Sequence, residues 1–399
     1  MMQARSVLIS GAGIAGPMLA YWLSRRGFMP TLIERAPRFR EGGYMIDFWG
    51  IGFDVADRMG LVPHLRQVGY NFNRIKFVDE KDRVRSEFGG DVLRGALGDR
   101  FISLPRGDLA KAIFDTVAQK TEIIFDESIV AVREGSSEIE VAFEKSESRR
   151  FDLVAGCDGL HSTVRELVFG PEDRFEKYLG FYAASFVTDD YPHREELTYV
   201  SYSAPGRQIS RYALRENRSA FLFVFARDHP FAKPPHADEA KTIVRETFAR
   251  DGWIEIPKIL ERMERCDEFY FDSVSQILMP VWSRGRTVLV GDAAHCPSLL
   301  AGEGAALAMA GAYILAGELQ RANGDFSKAF AAYERQYREF IDRKQRTAES
   351  FAASFAPKTR WGLWVRDFVL RCANRFSPIG RWLTHRFVSD RFELPFYPD

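Results

Sequence analysis

The sequence predicts an α/β protein in which a parallel-sheet domain is interrupted by an antiparallel sheet and followed by C-terminal helices. Three patterns support this fold class. Residues 6–34 have the pattern strand, turn, helix, strand; residues 180–227 alternate apolar and polar side chains; and helical patterns dominate from Gly304 onward. A chain of 399 residues is long enough for two domains, or for one large domain with an insert.

The opening pattern defines the parallel sheet. Ser6–Ser10 predicts the first strand, Ile14–Arg26 predicts a helix that ends at Gly27, and Pro30–Glu34 predicts the second strand. Two strands joined through a helix in this way lie parallel in one sheet. The elements that follow are a hairpin at 74–88, a helix at 108–119, a strand at 151–159, antiparallel strands at 180–227, a helix at 237–250 and a returning strand at 286–292.

Composition is that of a soluble globular protein, with 46% hydrophobic and 28% charged residues. The formal net charge is zero, so we expect no nucleic-acid partner and no general attraction to an acidic membrane. The 33 phenylalanines indicate a Phe-rich core, with an aromatic-lined cavity as the alternative. No apolar run is long enough to span a membrane. Four cysteines have neither metal-ligand nor redox spacing, which favours reduced thiols in a cytoplasmic protein without a metal site: Cys157, Cys266, Cys296 and Cys372.

The turn after the first strand is GAGIAG, which fits the dinucleotide fingerprint Gly-x-Gly-x-x-Gly. Gly11 permits the tight turn, Gly13 lets backbone N–H groups approach a pyrophosphate, and Gly16 allows close helix–strand packing. The helix start adds partial positive charge for the phosphates. Glu34, at the end of the second strand, can accept hydrogen bonds from ribose hydroxyls. The motif alone leaves NAD and FAD open.

A second glycine-rich stretch, GDAAHCPSLLAGEGAALAM, runs from Gly291 to Met309. An acid, Asp292, stands at the tip of a buried strand, and the helix that follows begins with small residues. Such a helix start has little side-chain bulk, so a ligand can lie close to its backbone.

Three separated stretches together resemble the class A flavoprotein monooxygenases, which have the fold of p-hydroxybenzoate hydroxylase. They are GAGIAG with Glu34–Arg35, CDGLHSTVR at Cys157–Arg165, and GDAAHCP at Gly291–Pro297. The resemblance implies a Rossmann-type FAD-binding domain with an inserted substrate domain, and FAD and NAD(P)H as cofactors. The cofactor-binding positions that it and the dinucleotide motif imply are Gly11, Gly13, Ala15, Gly16, Glu34, Arg35, Arg40, Asp47, Arg106, Asp158, Gly159, Gly291, Asp292, Gly302, Gly304 and Ala305.

The resemblance also implies roles for several of these residues. Asp292 accepts from the ribityl chain, and the helix after it faces the pyrimidine edge of the flavin, where its dipole stabilises negative charge on the reduced ring. Arg106, in LPRGDL, contacts the cofactor. Arg40 and Asp47 lie near positions that serve NADPH and FAD in the similar tetracycline-inactivating monooxygenases.

The sequence departs from the family pattern in the late glycine loop. The family usually has Asn where this chain has Ala306, and often has Gln where it has Glu303. We therefore expect a flavin contact to be lost or replaced there. Cys157 stands where the family usually has Ala and is expected to be a small buried residue. His295 is expected to have a structural role, and the sequence identifies no catalytic acid or base.

The predicted domains are interleaved. Residues 1–73, 98–179 and 270–345 form the FAD-binding domain, 74–97 and 180–269 form the substrate domain, and 346–399 form a C-terminal helical segment. That segment is basic and aromatic: Lys358–Phe392 has eight Lys or Arg and two Asp. We favour a helical cap packed on the FAD-binding domain over an interfacial segment that contacts membranes. The sequence leaves the oligomeric state open.

The function expected from the resemblance is an NAD(P)H- and O₂-dependent monooxygenase. Reduced flavin forms a C4a-hydroperoxide, which transfers oxygen to an aromatic or polycyclic small molecule held in a dry pocket under the antiparallel sheet. Two alternatives remain open at this point. One is a flavin-dependent reductase of isoprenoid double bonds, and the other is a non-catalytic FAD-binding protein.

Overall fold

The computed structural model describes residues 5–40, 42–90, 100–192, 195–375 and 392–398. Residues 376–391 of the predicted C-terminal segment lie outside these ranges. The described strands, in chain order, are β1 Ser6–Ser10, β2 Met29–Glu34, β3 Met45–Trp49, β4 Arg74–Val78, β5 Val84–Gly89, β6 Phe101–Pro105, β7 Glu122–Phe125, β8 Ile129–Glu134, β9 Ile139–Phe143, β10 Arg149–Phe151, β11 Leu153–Gly156, β12 Glu176–Asp189, β13 Thr198–Ala204, β14 Arg207–Ala213, β15 Arg218–Ala226, β16 Phe269–Ile277, β17 Ser283–Arg284 and β18 Thr287–Leu289.

Helices join these strands and dominate the C-terminal third. In chain order they are α1 Ala15–Arg25, α2 Gly50–Arg58, α3 Val62–Val68, α4 Arg106–Phe114, α5 Thr163–Phe169, α6 Ala237–Phe248, α7 Ile256–Glu264, α8 Asp292–His295, α9 Gly304–Arg321, α10 Phe326–Phe355 and α11 Arg360–Arg375. Short 3₁₀ turns lie at Glu172–Arg174 and Leu299–Ala301. Among the described residues, no helix is both long and apolar enough to cross a membrane.

The first sheet has the order β17-β18-β11-β1-β2-β7 and is parallel except at the β17–β18 pair. The predicted strand–helix–strand start is confirmed, because β1 pairs in parallel with β2. Ser10 is in register with Gly156 of β11 and Ile33 of β2, so these strands end at one edge. In open parallel sheets that edge is where ligands bind.

The second large sheet has the order β16-β12-β15-β14-β13-β4-β5. The hairpin expected at 74–88 is confirmed as β4 and β5. The sheet is antiparallel except that β4 pairs in parallel with β13, which the sequence did not indicate. β4 and β5 form a separate hairpin at the edge of this sheet. The expected boundary at residue 270 falls inside β16, which pairs with β12 in this sheet.

The two faces of the second sheet are buried against different partners. One face packs on α6 and α7 in a cluster that contains Phe186, Phe221 and Phe223. Neighbouring rings stack there, with 4.9 Å between the centroids of Phe186 and Phe221. The other face turns toward the parallel-sheet domain and carries Tyr199 and Tyr212. The frequent aromatic residues therefore serve both the core and the surface that faces the first domain.

The α9 helix anchors the parallel-sheet domain, because most of its residues are buried and it packs on α1 and α10. Small residues make this packing possible: a Cβ on Gly291 would lie 3.1 Å from the Cβ of Ala308. The end of the described chain returns to α9, where Tyr313 donates a hydrogen bond of 3.0 Å to the carbonyl of Pro395. The α/β fold class that the sequence predicts is confirmed.

Candidate functional site

A cleft of about 320 Å³ lies at the carboxyl edge of the parallel sheet. It is bounded by the turn after β1, the segment after β11, and the loop between β18 and α9. One strand of the second sheet, β16, closes part of it. The predicted residues that line the cleft are Gly11, Gly13, Ala15, Glu34, Arg35, Arg40, Arg106, Asp158, Gly159, Asp292, Gly302, Gly304 and Ala305.

The turn after β1 requires glycine at two positions, because a side chain at either would clash with backbone atoms. Gly11 has φ +103°, and a Cβ there would lie 2.6 Å from the carbonyl oxygen of Cys157. A Cβ on Gly16 would lie 1.9 Å from the carbonyl oxygen of Gly11, so Gly16 packs behind the turn and does not line the cleft. By contrast, the nearest atom to a Cβ on Gly13 would be 3.7 Å away, which leaves its backbone open to a ligand.

Hydrogen bonds fix the turn and leave the start of α1 free. Glu34 accepts from the N–H groups of Ala12 and Ala36, both at 2.9 Å. The α1 helix has no side-chain cap at Ile14 and no acid in its first turn. Its first N–H groups are thus available to an anion, as the pyrophosphate of a dinucleotide requires.

Asp158 is held in place by the start of α5. Its carboxylate accepts from Ser162 Oγ at 2.5 Å and from the N–H of Val164 at 3.1 Å. Burial raises the pKa of Asp158, and the hydrogen bond from Ser162 opposes that rise. Arg165, from the same motif, does not line the cleft. It is fully buried and donates to the carbonyls of Leu160 and Ala293.

The late glycine loop brings a second acid to the cleft. Gly291, with φ +66°, turns the chain so that Asp292 begins α8 at the end of the parallel sheet, while Gly291 itself packs against α1 and α9. Burial raises the pKa of Asp292, and the nearby charge of Arg106 lowers it. A Cβ on Gly302 would meet no atom within 4 Å, so the loop is open on the side of the cleft.

Asp47 is not among the residues that line the cleft. Within β3, Ile46 lines the cleft, and because successive side chains in a strand alternate, Asp47 points the other way. Its Oδ1 accepts from Ser103 Oγ and, at 3.4 Å, from Tyr199 OH. Burial raises the pKa of Asp47. The expected cofactor contact of Asp47 therefore does not follow from the cleft geometry, and its carboxylate faces the second sheet.

The buried thiols and His295 show no sign of acid–base activity. Burial raises the pKa values of the Cys157 and Cys296 thiols, which keeps both protonated. Burial lowers the pKa of His295 to about 3, so its imidazole is neutral. His295 packs against Trp282, with ring centroids 4.8 Å apart, beneath the cleft.

Among the lining residues that sequence reasoning missed are two tyrosines, a histidine and an acid. Tyr44 and Tyr270 approach with ring centroids 5.7 Å apart. His161 bridges Glu172, at 2.8 Å, and Asp272 of β16, at 3.0 Å. Hydrogen bonds to Asp272 and then to Glu172 raise the pKa of His161 to about 10. His161 lies inside a quoted motif, but Tyr270 and Asp272 come from β16, which carries no local signature.

The cleft fits a dinucleotide that bears a flat ring system. An uncapped helix start can hold a diphosphate, Glu34 stands at the end of β2, and an open glycine loop faces the cleft at its other end. The fold and site define a flavoprotein of the dinucleotide-binding α/β class. Residues 4–342 match the FAD binding domain family.

Relatives agree with that match. The chain is 38% identical over 352 residues to an uncharacterized protein, Rv1260, of Mycobacterium tuberculosis, covering 86% of this chain and 92% of the relative. It is 35% identical to a flavin-dependent monooxygenase of Legionella longbeachae, covering 88% and 90%. The solved structure of tetracycline destructase Tet(55) superposes with a TM-score of 0.83 at 30% identity, over all of both chains. The chain therefore belongs to the p-hydroxybenzoate hydroxylase-like family of FAD-binding monooxygenases.

Proposed function

We propose that this chain uses NAD(P)H and O₂ to hydroxylate an aromatic or polycyclic small molecule, with FAD held in the cleft. The observation that carries the proposal is that the late glycine loop of the cleft borders the aromatic face of the second sheet. Leu299, in the 3₁₀ turn of the late glycine loop, lines the cleft and also packs in the cluster of Tyr199, Tyr212 and Met45. A substrate between that face and the glycine loop lies next to the cofactor.

The chain's own residues bind, orient and exclude water. When bound, FAD supplies electron transfer from NAD(P)H and activation of O₂. The start of α1 would hold the diphosphate, and Asp292 and Arg106 would hold the part of the cofactor between the two glycine loops. The aromatic and aliphatic side chains around Leu299 exclude water, which strengthens every electrostatic contact in the cavity.

Polar groups at the aromatic face orient the substrate. Asp47 Oδ1 is taken by Ser103 and Tyr199, and among the described residues Oδ2 accepts no hydrogen bond. We assign Asp47 and Tyr199 to a substrate hydroxyl, which a carboxylate binds strongly in a dry site. The likeness to a tetracycline destructase supports a polycyclic substrate of this kind.

The exposed Arg40, at the open side of the cleft, is assigned to the phosphates of NAD(P)H. Arg40→Ala is expected to raise the KM for NAD(P)H about tenfold, as loss of one charge-assisted contact does, while the Kd for FAD stays unchanged. Steady-state kinetics and flavin fluorescence measure the two quantities. An equal loss of both affinities would contradict the assignment.

The test of the proposed reaction is oxygen incorporation. The FAD-loaded protein is given NAD(P)H, ¹⁸O₂ and candidate phenols, polycyclic aromatics and tetracyclines, and the product is analysed by mass spectrometry. We expect substrate-stimulated NAD(P)H oxidation matched by ¹⁸O in the product. Equal turnover without oxygen would identify a reductase, and FAD that is never bleached by NADH or NADPH would identify a non-catalytic protein.

A further inference from the structure

An ion pair lies beside the late glycine loop. Glu303 stands between Gly302 and Gly304, both of which line the cleft. Its Oε1 accepts a hydrogen bond of 2.5 Å from Nζ of Lys344, which comes from α10. The two side chains are 12% and 11% exposed, so the pair is largely removed from water.

The position of Glu303 poses an electrostatic problem. It directly precedes α9, whose N-terminal N–H groups carry partial positive charge. Its side chain makes no capping hydrogen bond to α9. A carboxylate beside this helix start reduces the positive potential that the cleft offers to a negatively charged ring.

Lys344 offsets the negative charge of Glu303. Its ammonium contacts the carboxylate of Glu303 and approaches the ring of Phe340, with 5.5 Å from Nζ to the centroid. Charges that are close together and partly buried interact strongly, because little water screens them. The opposite charges of the two side chains thus offset one another beside the cleft, and the partial positive charge of the α9 start is preserved.

We propose that Lys344 is a positioning residue that neutralises Glu303 and thereby sets the redox potential of the bound flavin. The inference rests on the proposed function only in that the FAD must cycle between oxidised and reduced forms. Loss of Lys344 removes one positive charge near the ring and disfavours its reduced, anionic form. Loss of Glu303 removes one negative charge and favours that form. Loss of both removes one charge of each sign, so the two effects cancel.

The test measures the midpoint potential of bound FAD by reductive titration against reference dyes, with no substrate present. Lys344→Gln is expected to lower the preference for reduced over oxidised FAD roughly tenfold, which for a two-electron couple is a midpoint about 30 mV more negative. Glu303→Gln is expected to shift the midpoint in the positive direction. The double variant is expected to return close to the wild-type value.

Arg343→Gln is the matched control. Arg343 is the neighbour of Lys344 on α10, pairs with Glu339 at 2.9 Å, and is 46% exposed. Removing the same charge there is expected to leave the potential unchanged. Should Lys344→Gln fail to fold, Glu303→Gln alone still tests the sign of the shift.

Single variants that both shift the potential in one direction, or that leave it unchanged, would overturn the inference and show that the pair only joins α9 to α10. Such a result leaves the proposed reaction untouched. Wild-type protein that binds no FAD would overturn both.

Discussion

The cofactor cleft and the aromatic face of the second sheet are built by opposite means. The cleft is formed by backbone at three short loops, where Gly11, Gly159 and Gly302 adopt positive φ so that a ligand can approach the main chain. The aromatic face is formed by side chains from strands far apart in the chain, such as Tyr199, Tyr212 and Asp47. Backbone sites leave local sequence signatures, whereas side-chain sites depend on register and distant pairing.

The largest expected effect is on FAD binding, at the cleft that is formed by backbone. Gly11→Ala is expected to weaken FAD binding by about 100-fold or more, because strain at positive φ of about 1–3 kcal/mol adds to a clash with the backbone of Cys157. Flavin fluorescence titration measures the loss. The control is Gly27→Ala: Gly27 also has positive φ, +79°, but a Cβ there meets nothing within 4 Å. Equal losses in the two variants would show that strain, and not contact at the cleft, is responsible.

The second expected effect is on substrate turnover, at the aromatic face of the second sheet. Tyr199→Phe is expected to lower kcat/KM for the substrate up to about tenfold, as loss of one hydrogen bond of about 0.5–1.5 kcal/mol does, with the Kd for FAD within about twofold of wild type. Tyr202→Phe is the control, because Tyr202 is on the same strand but packs on the opposite face. A change in FAD affinity without a change in kcat/KM would show that Tyr199 contacts the cofactor and not the substrate.

The contrast explains how far the sequence could be interpreted. The parallel sheet, the hairpin and most cleft residues follow from motifs in which a glycine or an acid is needed at one position. Tyr270 and Asp272 could not be predicted, because β16 is placed at the cleft by pairing with β12, where Ser185 and Ala183 are their partners. Asp47 is expected near the cofactor only from the family resemblance, which does not show which side of β3 faces the cleft, and in the structure the neighbouring Ile46 lines it.

A third, smaller effect is expected where the two regions meet. His161 joins the α5 side of the cleft to Asp272 of β16, and it is 41% exposed. Because hydrogen bonds to Asp272 and Glu172 raise the pKa of His161 from 6.5 to about 10, its contribution is fully present below about pH 6.5 and is lost as pH rises through about 10.

We therefore expect His161→Asn to lower the free energy of unfolding at pH 6 by about 1 kcal/mol, a value reduced for solvent screening. The difference from wild type should shrink toward zero above pH 10. Chemical denaturation across pH measures it. His64→Asn, at an exposed position of α3, is the control. A penalty independent of pH would show that packing, and not charge, joins the regions.

The smallest effect is expected outside both regions, on α11. Trp361 and Trp364 stack with centroids 4.9 Å apart and are 69% and 50% exposed, while Leu363 of the same helix is buried. If α11 serves as a cap through its buried side, Trp361→Ser should change the free energy of unfolding by less than about 0.5 kcal/mol, whereas Trp253→Ala, at a buried site, should cost about 3–5 kcal/mol.

Cosedimentation with phosphatidylserine vesicles distinguishes a helical cap from an interfacial segment that contacts membranes. Binding by the wild type that Trp361→Ser abolishes would identify α11 as an interfacial segment. Absence of binding leaves its buried side as the reason for the helix, and that side packs on β5 of the second sheet and not, as expected, on the FAD-binding domain.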